Sequence, residues 1–336
     1  MRPPEFWYGA GNAPWPRLLG PLGGLYGAAA RLRWNLTPSR RAPVPVICVG
    51  NLVAGGAGKT PLALAIARHL QARGRAVHFI SRGYGGSADG VQVDAGRHGA
   101  SDVGDEALLL ARMAPTWAGA DRYASAAAAA DAGADLVILD DGYQNPALIK
   151  DTSIVVVDGE TGFGNGRLMP AGPLRELPGP GLARAHAAVI LGEDKVDADV
   201  VIAAEGPAGL PVFGARLEAA TADAERLAGR RVFAFAGIAR PDKFFATLGG
   251  IGCEIAASLV FDDHHPYTGR ELSDIVEKAK SLDAVPVTTE KDHVRLDKAA
   301  AAAGGIETVH VDIAWDDAAA FTGWLDERIQ GAARGD

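Results

Sequence analysis

Cysteine is nearly missing: Cys48 and Cys253 are the only two in 336 residues. Two residues in separate apolar stretches can build neither a disulfide framework nor a cysteine metal cluster. Both are expected to be buried free thiols, acting as small hydrophobes in a reducing cytoplasm. Long apolar runs are missing too. No stretch reaches the ~18 residues that a membrane-spanning helix needs. The longest uncharged stretch near the start, Leu18 to Ala30, is short and rich in glycine. A cleavable signal is not expected either. No basic segment leads directly into a hydrophobic core, and Pro3, Pro4, Pro14 and Pro16 interrupt the region. Positive charge is also in deficit, with 33 Lys and Arg against 41 Asp and Glu for a net −8. That excludes nucleic acid as the main partner, because a phosphate backbone demands a basic surface.

The deficit is unevenly spread. Residues 1–43 hold Arg2, Arg17, Arg31, Arg33, Arg40 and Arg41 against Glu5 alone, so this arm carries +5 and the remainder −13. From Arg17 to Arg33, apolar residues recur at Leu18, Leu22, Leu25, Ala29 and Leu32, one face of a helix. Arginines at both ends, with Trp15, Tyr26 and Trp34 nearby, suit a membrane surface. Packing of that face on the protein's own core fits the pattern equally well.

At this length two domains are expected, since one domain takes ~150 residues. Hydrophobic residues make up 48%, enough for a sizeable core. Buried strands are expected at 44–49, 77–80, 136–139, 154–157, 189–191 and 200–203, with helices at about 61–72, 103–113 and 124–130. Residues 159–186 are dense in Gly and Pro and form a long loop, a kind that is usually functional or disordered. A second alternation starts at Arg231: helix 241–248, strand 254–260, helix 270–281, strands 285–288 and 306–311, and a closing helix at about 316–330. The fold class is therefore α/β: two α/β/α, Rossmann-like domains of the phosphate-loop type with mostly parallel sheets, plus an N-terminal amphipathic helix. The expected division is an arm at 1–43, a kinase domain at 44–210, a linker at 211–230 and a smaller α/β domain at 231–336.

The strongest chemical signal is Gly50-Asn-Leu-Val-Ala-Gly-Gly-Ala-Gly-Lys59-Thr60-Pro61, running from a strand into a helix. Glycine backbone N–H groups can curl around a polyphosphate, the helix N-terminus adds partial positive charge, and Lys59 reaches the outer phosphates. The expected ATP-binding set is Val53, Ala54, Gly55, Gly56, Ala57, Gly58, Lys59 and Thr60. The strict pattern wants glycine where Val53 stands, so a structural glycine turn is the competing explanation. Leu136 to Leu139 runs into Asp140-Asp141, an apolar strand delivering acids that can hold Mg²⁺ together with Thr60. Acids capping a strand would look similar. Thr289-Glu-Lys-Asp292 does not fit the base reader of a GTPase, and Ala54 replaces the lysine expected of a partition ATPase.

These residues resemble one family, the tetraacyldisaccharide 4′-kinases of lipid A biosynthesis. The resemblance rests on an ordered series: Val49 to Pro61; Ser81-Arg-Gly-Tyr-Gly-Gly86; Gly104-Asp-Glu-Ala107; Asp140-Asp-Gly-Tyr-Gln144; Gly164 to Glu176; Asp263-His264; and Thr288 to Asp292. It implies transfer of the γ-phosphoryl of ATP, with Mg²⁺, to the 4′-hydroxyl of tetraacyldisaccharide 1-phosphate, giving lipid IVA. It further implies work at the cytoplasmic face of the bacterial inner membrane, by a chain expected to be a monomer. By resemblance Asp105 is the base and His264 its partner from the second domain, with Lys59 the third catalytic group. From the residues alone, Asp105 and Glu106 could equally be helix N-terminal acids favoured by the dipole. Glu106 and Gln144 join Thr60, Asp140 and Asp141 as metal candidates. Asn51, Arg82, Tyr84, Arg122, Arg167 and Arg175 are substrate candidates, since arginine grips phosphate with two N–H groups, although each arginine could simply be solvated. Glu290 to Asp292 is expected to be a structural ion cluster. Two other functions compete: an ATPase switch moving on a membrane surface, and a soluble kinase for a nucleotide or vitamin.

Overall fold

A computed structural model describes residues 4–9 and 14–334; Arg2 and Pro3 of the arm lie outside them. The first eight strands are β1 (Val46–Gly50), β2 (Val77–Ser81), β3 (Val91–Gln92), β4 (Thr116–Ala118), β5 (Leu136–Asp140), β6 (Thr152–Asp158), β7 (Ala187–Leu191) and β8 (Val212–Ala219). Next come β9 (Arg231–Ala236), β10 (Glu254–Val260), β11 (Val285–Thr289), β12 (Glu307–Val309) and β13 (Val311–Trp315). They form a nine-stranded sheet in the order β13-β8-β7-β6-β1-β5-β2-β4-β3 and a parallel four-stranded sheet in the order β10-β9-β11-β12. Only the outermost pairs of the large sheet, β3 with β4 and β13 with β8, are antiparallel.

The central strands are buried end to end because helices cover both faces. Side chains alternate between those faces. Ile47 and Val49 join Leu62, Ile66, Phe79 and Ile138 in one core, while Val46 and Cys48 join Leu139, Val155 and Ala126 in the other. Cys48 is fully buried, and that burial pushes its thiol up to about 12, so it is the inert hydrophobe expected; Cys253 is half-buried. β1 lies between β5 and β6, the point where the strand order reverses. Open parallel sheets bind ligands beyond the carboxyl ends of their strands at such a point.

The structure departs from the sequence expectations in four places. Residues 200–203 are not a strand but part of a helix, Ala198–Glu205, that buries only Ala198 and Ile202, four residues apart. The Asp194 carboxylate accepts from the N–H groups of Ala198 and Asp199 and so fixes its first turn. Residues 211–230 are not a linker, since β8 pairs with β7 inside the large sheet and Thr221–Leu227 is a helix. The strand expected at 306–311 is two strands divided at His310: β12 stays in the small sheet and β13 crosses to the large one. The closing helix, Ala318–Arg334, follows it and buries Phe321, Leu325 and Ile329 in the large domain's core. Sheet pairing therefore assigns 231–309, not 231–336, to the small sheet. Finally, the helix expected at 103–113 is broken at Gly104 into Ala100–Val103 and Asp105–Ala111.

The arm forms helices at Trp15–Leu18 and Gly20–Leu36, and among the described residues no helix is long and apolar enough to cross a membrane. Its small residues, not its leucines, face the protein. A Cβ added at Gly23 would lie 2.9 Å from the Leu168 carbonyl oxygen, and one at Gly27 would lie 2.6 Å from the Leu168 side chain. Leu18, Leu22, Leu25, Leu32 and Leu36 all stay more than half exposed.

Candidate active site

The glycine-rich loop leaves β1 and enters the helix Lys59–Ala72, as its sequence requires. Gly58 caps that helix at φ +82, a conformation that costs a side chain dearly, and a Cβ there would lie 2.4 Å from Leu191. The loop is anchored from outside by Ala54 N–H donating to the Pro173 carbonyl, 2.7 Å away. The Lys59 ammonium lies 3.7 Å from Asp141 and donates to the Gly55 carbonyl at 3.5 Å. Thr60 Oγ1 donates to Asp140 Oδ2 at 2.8 Å.

Asp140 is buried, and its Oδ1 has no hydrogen-bond partner; neither has Oδ1 of the fully buried Asn51 beside the loop. Burial first, and the Glu106 charge second, push the Asp140 carboxyl up to about 7. Two orphaned buried oxygens and a carboxylate held against its charge fit a divalent cation beside Thr60. Asp141, by contrast, sits at φ +53 and accepts from Arg175 with both oxygens, at 2.7 and 3.3 Å. Burial pushes its carboxyl up, but Lys59 and Arg175 outweigh that and hold it below its usual value. Gln144 is committed at both ends of its amide: it donates to the Asn51 carbonyl and to Glu176, and accepts from Arg175. Asp141 and Gln144 therefore belong to an Arg175 network and are not turned to a cation at Thr60. Asn51 is buried under the loop rather than open to a substrate.

In the same domain, the break at Gly104 makes Asp105 the first residue of a new helix and buries its carboxylate. A Cβ at Gly104 would lie 2.5 Å from the Tyr84 carbonyl, so only glycine lets the two turns meet. Asp105 Oδ2 lies 2.9 Å from His264 Nδ1 and 3.5 Å from Arg295 Nε. Burial raises the Asp105 carboxyl, yet the His264 hydrogen bond and the Lys291, His264 and Arg295 charges together hold it below the usual range. His264 itself sits at φ +61, one of four described non-glycine residues with positive φ. Such backbone concentrates at functional sites. His265 faces away, 3.1 Å from Glu271, so geometry separates two histidines that spacing could not.

The remaining candidates divide. Tyr84 is exposed with its ring 5.7 Å from that of His264, and Arg82 is exposed in the same turn. Arg122 is buried, donating to the Gly119 and Ala120 carbonyls, so it braces the turn more than it faces solvent. Arg167 is exposed near Gly20 of the arm. Within the cluster expected at 290–292, Lys291 reaches Glu106 at 3.3 Å, and Asp292 accepts from Gly237 N–H, Tyr267, Thr289 and Arg295. Arg295, Asp158, Arg240 and Lys243 were not anticipated. Asp158 ends β6 and binds Arg240 at 2.7 Å and Lys243 at 2.6 Å, both from the small domain; Arg240 also reaches Glu160. Their partners lie more than 80 residues away in sequence, so no local pattern could show them.

Between the two ion clusters lies a cavity of about 540 Å³, lined by Gly56 to Pro61 and Glu106 on one side and by Ile238, Arg240, Phe244 and Lys291 on the other. It is large enough for a nucleotide-sized ligand.

A family model for tetraacyldisaccharide-1-P 4′-kinase matches residues 15–330. The tetraacyldisaccharide 4′-kinase of Rhodospirillum rubrum is 49% identical over 332 residues, spanning 98% of this chain and 99% of that protein. That of Rhodospirillum centenum is 50% identical over 321 residues, 94% of each. The crystal structure of the "apo" form of LpxK from Aquifex aeolicus in complex with ATP superposes with a TM-score of 0.73 at 25% identity, covering 94% of this chain and 99% of that one. With the match running through both domains and the cleft between them, the chain belongs to the tetraacyldisaccharide-1-P 4′-kinase family.

Proposed function

We propose that the chain phosphorylates the 4′-hydroxyl of tetraacyldisaccharide 1-phosphate with ATP at the cytoplasmic face of the bacterial inner membrane. The observation that carries the chemistry is a cavity lined by the phosphate loop with Lys59 and by Glu106 and Lys291, the latter two adjoining an Asp105–His264 pair built from both domains. Phosphoryl transfer asks for the nucleophile in line, its proton accepted, and the phosphoryl charge neutralised. The loop's N–H groups and Lys59 cradle the phosphates. Asp105 accepts a hydrogen bond from the incoming hydroxyl and later its proton. A carboxylate held below its usual pKa suits this orienting role, since a loose transition state needs little proton transfer before the phosphoryl moves. His264 orients Asp105, and Arg295 and Lys291 keep it ionised. Thr60, Asp140 and Glu106 would hold Mg²⁺, which would supply positive charge against the phosphates. Arg175, Arg82 and Tyr84 are left to meet the substrate.

Docking at the membrane is supported by the exposed leucines of the arm, which a core-packing helix would have buried. The test is a transfer assay with γ-labelled ATP and detergent-dispersed disaccharide 1-phosphate, comparing wild type, Lys59→Ala and Asp105→Ala. Label on the lipid with wild type, largely lost in both variants, is the expected result. ATP consumed with no labelled lipid would sink the kinase reading in favour of a switch. For the arm, Leu22→Asp with Leu25→Asp should abolish vesicle co-sedimentation; unchanged co-sedimentation would refute it.

A further inference from the structure

A second, smaller cavity of about 180 Å³ opens where the foot of the arm helix meets the large domain. Its lining includes Trp34, Ser39, Tyr143, Lys150, Ser153 and Arg184, two aromatic rings, two serine hydroxyls and two cations. None of these belongs to the phosphoryl-transfer machinery described above. The Arg184 guanidinium lies 4.2 Å over the Trp34 ring and 5.1 Å from that of Tyr143, and the Lys150 ammonium lies 5.4 Å from the Trp34 ring centre.

The charges in this pocket do not balance. Arg184 is paired with Glu176 at 2.7 Å, and Glu176 is fixed there because Gln144 also donates to it at 3.0 Å. Lys150 has no carboxylate partner among the described residues; its ammonium donates only to the Asn145 carbonyl. An ammonium carries three donors, so two are left over. Burial depresses the Lys150 pKa and Arg184 pushes the same way, outweighing Cys48 and Glu176, which raise it. A half-buried cation with spare donors and a second cation nearby is costly unless an anion accompanies it.

We propose that this pocket binds a phosphate group, monoester or diester, supplied either by an anionic lipid headgroup or by free phosphate. Lys150 gives the charge, and Arg184 and the Ser153 hydroxyl complete the donor set, the Ser39 and Tyr143 hydroxyls already donating to the Pro146 and Gly181 carbonyls; the cavity has room for a phosphate but not for a nucleotide. The leucines exposed on the same helix, Leu25, Leu32 and Leu36, set the pocket beside any bilayer that the arm enters.

The test uses full-length protein saturated with Mg-ADP, so that the phosphate loop is already filled. Inorganic phosphate is titrated against chloride at equal ionic strength, with thermal unfolding as the readout. Wild type should be stabilised saturably. Lys150→Gln should weaken the apparent affinity by about tenfold, as loss of a charge-assisted hydrogen bond of ~1.5 kcal/mol does. Lys150→Arg should keep it within about threefold. Since Lys150→Gln also touches Trp34, Ser39→Asp is made in parallel; it leaves the Trp34 stack alone and should weaken phosphate equally. A titration unchanged in Lys150→Gln and Ser39→Asp overturns the site. In a second arm, binding to phosphatidylglycerol vesicles is compared with binding to phosphatidylcholine vesicles. Loss of the preference for phosphatidylglycerol in Lys150→Gln identifies a lipid headgroup as the source; an intact preference with a lost phosphate titration identifies free phosphate. Only this second arm rests on the proposed membrane docking, so the two readings fail separately.

Discussion

Asp105 and Asp158 are both buried carboxylates of the large domain, and both are held by cations from the small one. Both carboxyls lie below their usual range, because paired cations outweigh burial. They differ in the character of the partner. Asp105 meets the His264 imidazole at 2.9 Å, with Arg295 buried behind it. Asp158 meets Arg240 and Lys243, fixed charges that are about a third exposed. On the proposed mechanism Asp105 takes the hydroxyl's proton, whereas Asp158, clamped by two permanent cations, ties the two domains together at the edge of the same cavity. If the proposed roles hold, the cleft has a chemical side and a mechanical side, and similar carboxyl pKa directions do not tell them apart.

The largest expected effect breaks the chemical side. Asp105→Asn should lower kcat for lipid phosphorylation by ~10²–10⁴-fold, the usual contribution of a positioned acid–base group, with KM for ATP little changed. A comparable rise in KM would make Asp105 a nucleotide-binding group instead. His264→Gln should cost less, roughly 10²-fold in kcat, because Asp105 keeps Arg295 and Lys291. Asp158→Asn should leave kcat within about threefold in the same assay; a loss matching that of Asp105→Asn would erase the distinction between the two sides.

Stability should respond in the opposite order. Asp158→Asn leaves two cations facing an amide. Breaking a fully buried pair costs ~3–5 kcal/mol, but the exposure of Arg240 and Lys243 reduces this to about 1–3 kcal/mol, measurable by urea unfolding. The pH dependence is the smallest effect. Because the folded Asp158 carboxyl is depressed, its contribution is complete above the unfolded value of ~3.9 and is lost as pH falls through the folded value. Wild type should therefore lose stability below about pH 4 more steeply than Asp158→Asn, as acid titration followed by circular dichroism would show; parallel limbs would place the clamp elsewhere.

What was legible in the chain was legible for local reasons. Strand, glycine turn, Lys59-Thr60 and helix are contiguous, so a phosphate loop shows itself in a dozen residues, and Asp140 follows an uninterrupted apolar strand. Asp105 and His264 were reachable only through resemblance, because 159 residues separate two groups that meet at 2.9 Å. The apolar run at 200–203 misled because a short buried stretch carries no period; two inward residues four apart decided for a helix. The arm's pattern fitted membrane and core equally; Gly23 and Gly27 let the helix back approach Leu168 and turn the leucines outward, away from the core.

By itself the sequence determined the fold class, the phosphate loop and the sign of the arm's charge, since each follows from hydrophobic period, glycine placement or a count of charged residues. Only the tertiary structure decided which carboxylate sits beside Thr60 with an unpartnered oxygen, that Asp105 and His264 meet at 2.9 Å, and that β13 returns to the large sheet after the small one is built. Those outcomes depend on groups distant in the chain competing for the same space and the same donors. Burial and pairing settle that competition, and neither exists until the chain has closed on itself.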